Sequence, residues 1–368
     1  MQKGITKILR EVPWQKAKEI AKKLDLDRSE VSSHLHGSRH LYHQDSKYRW
    51  CLLESFLQIT ITSRSPWIST AQFERALKNS GSPHNTNKSS VLIKLPAQCR
   101  VKLCAAARIL AITNQMIGVG KYIAIDFSDC DEAASYLNRA GFFDRLHKDV
   151  DVFPDRPTSS AAKNFNNNSS RLVELHEIGV AGGENVPDRL KASFVAAVGS
   201  DHAGVLFSAI GELVGNVEEH AGSVQPGFAG LQCYGETSSK WLQIQTVVSD
   251  SGVGICGTLR PVLEKKYPEL VAKFDSQKPD ADAKLVVHAF TNGGISSVDD
   301  EGRGLGLKNS AHSMEVLNGK LSIRQENFSV TLEYKDGKTK EYVELDLPRI
   351  LGTHIVSEIH LTNKHKSA

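Results

Sequence analysis

The stretch FSAIGELVGNVEEHAG, residues 207–222, decides how the C-terminal half of the chain is read. On a helix, Glu212, Asn216 and His220 recur every four residues and share one face, while Phe207, Ile210, Leu213, Val214 and Val217 supply the opposite, apolar face. A polar stripe on a core helix needs a reason, because burying an acid and a carboxamide without partners costs free energy. A cavity holding a polar ligand supplies one reason and a solvated helix face another. This stretch alone leaves both open.

Two further motifs follow in order. WLQIQTVV (241–248) alternates as a strand and runs into VVSDSGVGI (247–255), which places Asp250 at the strand end and Gly252 and Gly254 in the turn after it. A carboxylate there can accept a hydrogen bond from the amino group of a base, and glycines let the backbone approach a flat ligand that a Cβ would obstruct. DDEGRGLGLKNSAH (299–312) then sets Gly302, Gly304, Leu305 and Gly306 at the start of a helix running to about Leu317. Free backbone N–H groups at such a start make an anion site, with Arg303 and Lys308 adding positive charge. The pattern is not GxxxxGK[ST], which excludes a P-loop, and no βαβ unit with a downstream acid supports a dinucleotide fingerprint.

Taken together in this order, the three motifs resemble the ATP-binding boxes of the GHKL superfamily (gyrase, heat-shock chaperone, histidine kinase, MutL) over residues 171–361. The resemblance implies a MgATP pocket in which Asn216 ligates Mg²⁺ and Glu212, one turn earlier, orients or deprotonates the attacking water. Asp250 would meet the adenine amino group, the glycine-rich turn the triphosphate, and Gly352-Thr353 the adenine from a late strand. Residues 255–301, with AFTNGGISS at 289–297, correspond to a lid. Against a histidine kinase stands the absence of a helical dimerisation segment with a phosphoacceptor His before residue 207. The strands GKLSIRQ, VTLEY, YVELDL and THIVSEIHL read as antiparallel by alternation and complete an α/β sandwich, expected as a mixed sheet covered by helices.

The polar stretches 79–90 and 157–170 read as linkers and divide the 368 residues into three segments, consistent with the usual domain size. In the middle one, 91–156, VLIKL and YIAIDF read as strands and CRVKLCAAARILAITNQMI as an amphipathic helix, a βαβα order. This resembles the STAS domains of anti-sigma antagonists: IDFS (125–128) fits the strand end, and Ser135 falls near the phosphorylated position, although Ala134 stands where the family has Asp. Asp126, Asp129, Asp131 and Glu132 flank a helix start, as the macrodipole favours. Residues 1–80 read as helical, with WQKAKEIAKKLDLDRSEVSSHLHGS (14–38) forming a helix-turn-helix that resembles winged-helix DNA-binding domains. Arg28, Ser29, Ser32, Ser33 and His36 would then face DNA, and a plain protein-docking helical domain is the alternative. His34, His36, His40 and His43 lack the companions of a tetrahedral metal site.

Hydrophobic residues make up 40% and charged residues 24%, an ordinary globular balance, and the net charge of +3 names no partner. The first ninety residues, however, carry fifteen Lys and Arg against eight Asp and Glu. Six scattered cysteines without a CxxC read as free thiols, and with no long apolar run or signal-type N-terminus the expected location is the cytoplasm. The expectation is therefore an α/β multidomain protein with ATP and Mg²⁺ as cofactors. Three roles remain open: a nucleotide-driven ATPase switch acting on DNA or a protein partner, a serine kinase of the anti-sigma type acting on a STAS-like domain, and a non-catalytic ATP-binding regulator of transcription or bacterial defence. A homodimer is compatible with each.

Overall fold

Short apolar runs at helical spacing build the first unit. Helices α1 (Gln2–Glu11), α2 (Ala17–Leu24) and α3 (Arg28–Gly37) bury Ile5, Leu9, Ile20, Ala21, Val31 and Leu35, which close with Tyr42 and Trp50 into one small core. Asp25, in the left-handed region, ends α2. Asp27 starts α3 by accepting the backbone N–H of Ser29 at 2.6 Å. Strands β1 (Gln15–Lys16), β2 (Tyr42–Gln44) and β3 (Arg49–Leu52) form an antiparallel sheet in the order β1-β3-β2. The reading of residues 1–80 as helical is thus corrected: β1, β2 and β3, of two to four residues, are too short to show a period. The computed structural model describes residues 1–165, 168–179, 186–199, 203–220, 225–235, 241–295 and 304–362.

The second unit winds in one direction. It contains β4 (Phe56–Thr60), β5 (Trp67–Ile68), α4 (Thr70–Ser80), β6 (Ser90–Lys94), β7 (Arg100–Val101), α5 (Leu103–Gly118), β8 (Tyr122–Asp126), α6 (Asp131–Arg139), α7 (Phe142–Arg145), β9 (Asp151–Phe153) and α8 (Ala161–Asn164). Its main sheet is parallel, in the order β4-β6-β8-β9, and β5 and β7 form a small parallel pair. Period two divides the sheet faces. Ile59, Val91, Ile93, Ile123 and Ile125 meet the helices, while Phe56, Leu92 and Ala124 meet Cys51 and Trp14 of the first unit. Residues 56–80, read above with the first segment, therefore pair and pack with the parallel sheet. Nor is 81–89 a free linker: Lys121 Nζ donates to the carbonyls of Pro83 and Thr86 at 2.7 and 2.8 Å.

The third unit contains β10 (Leu172–Glu177), α9 (Val186–Val198), α10 (Ala203–His220), β11 (Phe228–Tyr234), β12 (Trp241–Ser249), α11 (Gly254–Lys266), α12 (Pro268–Val271), α13 (Ala281–Thr291), α14 (Gly306–Val316), β13 (Lys320–Glu326), β14 (Phe328–Lys335), β15 (Lys338–Glu344) and β16 (Ile350–Thr362). Seven strands lie in the order β10-β11-β12-β16-β13-β14-β15. Every pair is antiparallel, which corrects the expected mixed sheet. One face, including Leu231, Ile244, Val248, Ile323 and Ile355, packs with α9, α10, α13 and α14.

The other face is more polar, and α5 covers it. Thirteen of the sixteen residues of α5 are buried, so the helix is enclosed on all sides and not amphipathic as its sequence suggested. Its first turn is capped from the third unit: the N–H of Leu103 donates to the Tyr234 hydroxyl at 2.7 Å and that of Cys104 to Gln245 Oε1 at 2.9 Å. The chain is thus an α/β protein of several sheets whose second and third units share a core. Among the described residues no helix is long and apolar enough to cross a membrane.

Candidate functional site

Antiparallel pairing of β12 with β16 sets Ser249 opposite His354, so the end of β12 and the start of β16 lie side by side at one end of the sheet. There the backbone N–H of Asp250 donates to the Thr353 carbonyl at 2.9 Å. The Asp250 carboxylate in turn accepts from the N–H groups of Gly252 at 2.7 Å and Thr353 at 3.2 Å. Asp250 is 5% exposed. Burial pushes its pKa up to about 6 against the pull of those two N–H groups. Gly352 makes the crossing possible: its φ is +83°, and a Cβ would overlap the Asp250 carbonyl oxygen.

Helix α10 crosses the apolar face of the sheet and packs against α14. Ile210, Leu213 and Val214 are buried. Phe207, read above with the buried face, is half-buried and lines a cavity, with Lys191 Nζ 4.6 Å from its ring centroid. Glu212 abuts the first residue of α14: a Cβ on Gly306 would meet the Glu212 carboxylate and push it aside. Ser310 ties the two helices by donating to the Ala209 carbonyl at 3.1 Å.

These elements enclose one cavity of about 600 Å³, within the range of small-molecule sites. Glu212, Asn216, Asp250, Gly254, Gly304, Gly306 and Thr353 all line it. Gly252, Leu305 and Lys308 do not reach the lining: Gly252 serves the cavity by holding Asp250, and Leu305 is the residue that precedes α14. Gly302, Arg303 and the His220 side chain lie outside the described residues.

Asn216 carries the most telling atom. Its Nδ2 is buried and meets no hydrogen-bond partner among the described residues, a state that costs about 1–3 kcal/mol unless a ligand satisfies it. A half-turn of the carboxamide puts an oxygen at the same place, and that suits a hard cation. The residues present therefore fit a site with a cation-ligating amide, a nearby carboxylate and a glycine-lined helix start. Among the described residues no group of three or more His, Cys, Asp and Glu side chains is placed to hold a metal by itself.

Several participants escaped the sequence reading. Gln325 on β13 donates to the Thr353 hydroxyl at 2.8 Å and lies against Gly254. His354 bonds Ser249 through Nδ1 and the Leu351 carbonyl through Nε2. Burial, with the charges of Arg108 and Arg324, holds its pKa far below the usual histidine range. Gly211 and Gly215 supplied a legible signal, being small residues beside Glu212 and Asn216 that open the helix surface to the cavity.

In the first unit, Arg28, Ser33 and His36 are exposed on α3 and Ser32 is half-buried. Ser29 is engaged in the helix cap, its N–H and hydroxyl both directed to Asp27. In the second unit, Ser135 is exposed on α6, and Asp126 accepts the Ser128 N–H at 3.0 Å. No protein-family model matches the chain, and no curated protein matches it at a significant level.

Proposed function

We propose that the cavity is a MgATP site of the GHKL type and that the protein is an ATPase whose nucleotide state acts as a switch. The observation that carries this reading is the convergence of Asn216, Asp250, Gly304 and Gly306, from three separated motifs, on one cavity. Asp250 is the acceptor for the adenine amino group, with Thr353 beside it. The turn leading into α14, from Gly304 to Gly306, is the place for phosphate oxygens, which the helix dipole favours. Mg²⁺ would be held by Asn216 and would neutralise phosphate charge. Glu212 stands one helical turn from Asn216, where a carboxylate can orient and deprotonate water.

The experiment is a turnover assay with intact-mass detection on wild type and Glu212→Ala. The switch reading expects steady release of inorganic phosphate by wild type, loss of at least about a hundredfold in Glu212→Ala, and no phosphate on the protein. Phosphate gained at Ser135 would instead support the serine-kinase reading, and equal turnover in both proteins would refute the role of Glu212.

A second reading, for the first unit, is nucleic-acid binding through α3. It is supported by the exposed Arg28, Ser33 and His36 and by the basic excess of the first ninety residues. Phosphate neutralisation makes such binding fall steeply with salt. Binding indifferent to salt would point to protein docking.

A further inference from the structure

We propose that Gln115 of α5 is a positioning residue for the base end of the cavity, through which the second unit sets the cavity's affinity for an adenine nucleotide. The proposal rests on the nucleotide reading above and names a control on it that none of the three motifs contains. Gln115 is 3% exposed, and its carboxamide uses its whole hydrogen-bonding capacity. Nε2 donates to Ser251 Oγ at 3.0 Å and to the Leu351 carbonyl at 2.9 Å. Oε1 accepts the Leu351 N–H at 3.1 Å and pairs with His84 Nε2 at 2.9 Å.

Both backbone groups of Leu351 are therefore held by one side chain, as a neighbouring strand would hold them. Leu351 is followed by Gly352 and by Thr353, whose N–H reaches the Asp250 carboxylate. Ser251 follows Asp250 directly. The Leu351 carbonyl also accepts from His354 Nε2, and His354 bonds Ser249, the residue before Asp250. Gln115 thus fixes the segments on both sides of the buried acid without touching the cavity itself. Its neighbour Asn114 accepts a hydrogen bond on its carbonyl from Gln225, at 2.7 Å, in the segment after α10. On the far side, His84 belongs to the loop that Lys121 ties down. A shift of that loop or of α5 is passed to Asp250 through a continuous chain of hydrogen bonds centred on a buried side chain, where geometry tolerates little slack.

The test titrates the full chain, as wild type, Gln115→Ala, Gln115→Glu and Ser251→Ala, with MgADP and with magnesium tripolyphosphate, which has no base. A positioning role expects Gln115→Ala to weaken MgADP about tenfold and leave tripolyphosphate within about twofold. Gln115→Glu keeps an acceptor for the Leu351 N–H and His84 but sets a carboxylate oxygen against the Leu351 carbonyl, and should weaken MgADP at least as much as Gln115→Ala. Should Gln115→Ala fail to fold, Ser251→Ala, which removes a single contact, must show the same selective loss. Equal weakening of both ligands, or unchanged MgADP affinity in the variants, overturns the proposal while leaving the nucleotide reading intact. Failure of wild type to bind MgADP overturns both.

Discussion

The two faces of the seven-stranded sheet are both buried, yet they are built from different chemistry. The face under α10 and α14 is a conventional apolar core, with Ile210, Val248, Ile323 and Ile355 all buried. The face under α4 and α5 buries Gln243, Gln245, Arg324 and His354, each 7% exposed or less. On the first face packing is non-directional, and a cavity opens where polar residues replace apolar ones. On the second, every buried polar group needs a particular partner from another part of the chain. Arg108 of α5 and Arg324 of β13 both pair with Glu74 of α4, and Gln245 Oε1 caps α5. A face of the first kind tolerates sliding of its helices; one of the second kind fixes register, and so suits a surface that transmits position.

That contrast can be broken most forcibly at Glu74. Replacing it by Ala leaves two guanidinium groups buried without their carboxylate, and denaturant unfolding should show a loss of about 3–5 kcal/mol; a loss below about 1 kcal/mol would mean that the ion cluster does not hold the units together. On the apolar face, Ile210→Ala should cost about 2–5 kcal/mol through lost burial and the cavity it leaves, without selectivity for any ligand. Gln245→Ala strands the Cys104 N–H and should cost about 1–3 kcal/mol. The same change at Gln232, on the same face but half-buried, should stay within about 0.5 kcal/mol.

A separate effect is a pH dependence at Asp250. Its folded pKa, raised to about 6, lies above its unfolded value, so its contribution to stability is present at low pH and lost as pH rises through 6. Ligand binding runs the other way, because only the ionised carboxylate is a full acceptor. Adenosine affinity should fall about tenfold between neutral pH and pH 5, and Asp250→Asn should remove that dependence. A pH-independent affinity in wild type would detach Asp250 from the base.

The same contrast explains what the sequence made legible. The apolar face announced itself by period, in the spacing of Ile210, Leu213 and Val214 and in the alternation of WLQIQTVV, because burial of apolar groups leaves a periodic trace. The glycines at 254, 304, 306 and 352 and the polar stripe of α10 were likewise legible, since a positive φ or a close approach restricts residue type locally. The polar face was not. Gln243 and Gln245 alternate as solvent-facing residues do, and what covers them lies more than a hundred positions away in sequence, in α5. Gln115 looked like one polar residue in an amphipathic helix, and only the third dimension sets it between Ser251 and Leu351. The strands of the first unit were too short to leave any period, and the pairing of β4 with β6 carries no local signal at all.

The central claim, that the cavity binds MgATP through Asn216, is tested most directly by calorimetric titration of ATP with and without Mg²⁺ into wild type and Asn216→Ala. Wild type is expected to bind tightly, and more so with Mg²⁺, while residual binding to Asn216→Ala should not respond to the metal. No binding to wild type, or the same metal dependence in both proteins, would contradict that claim.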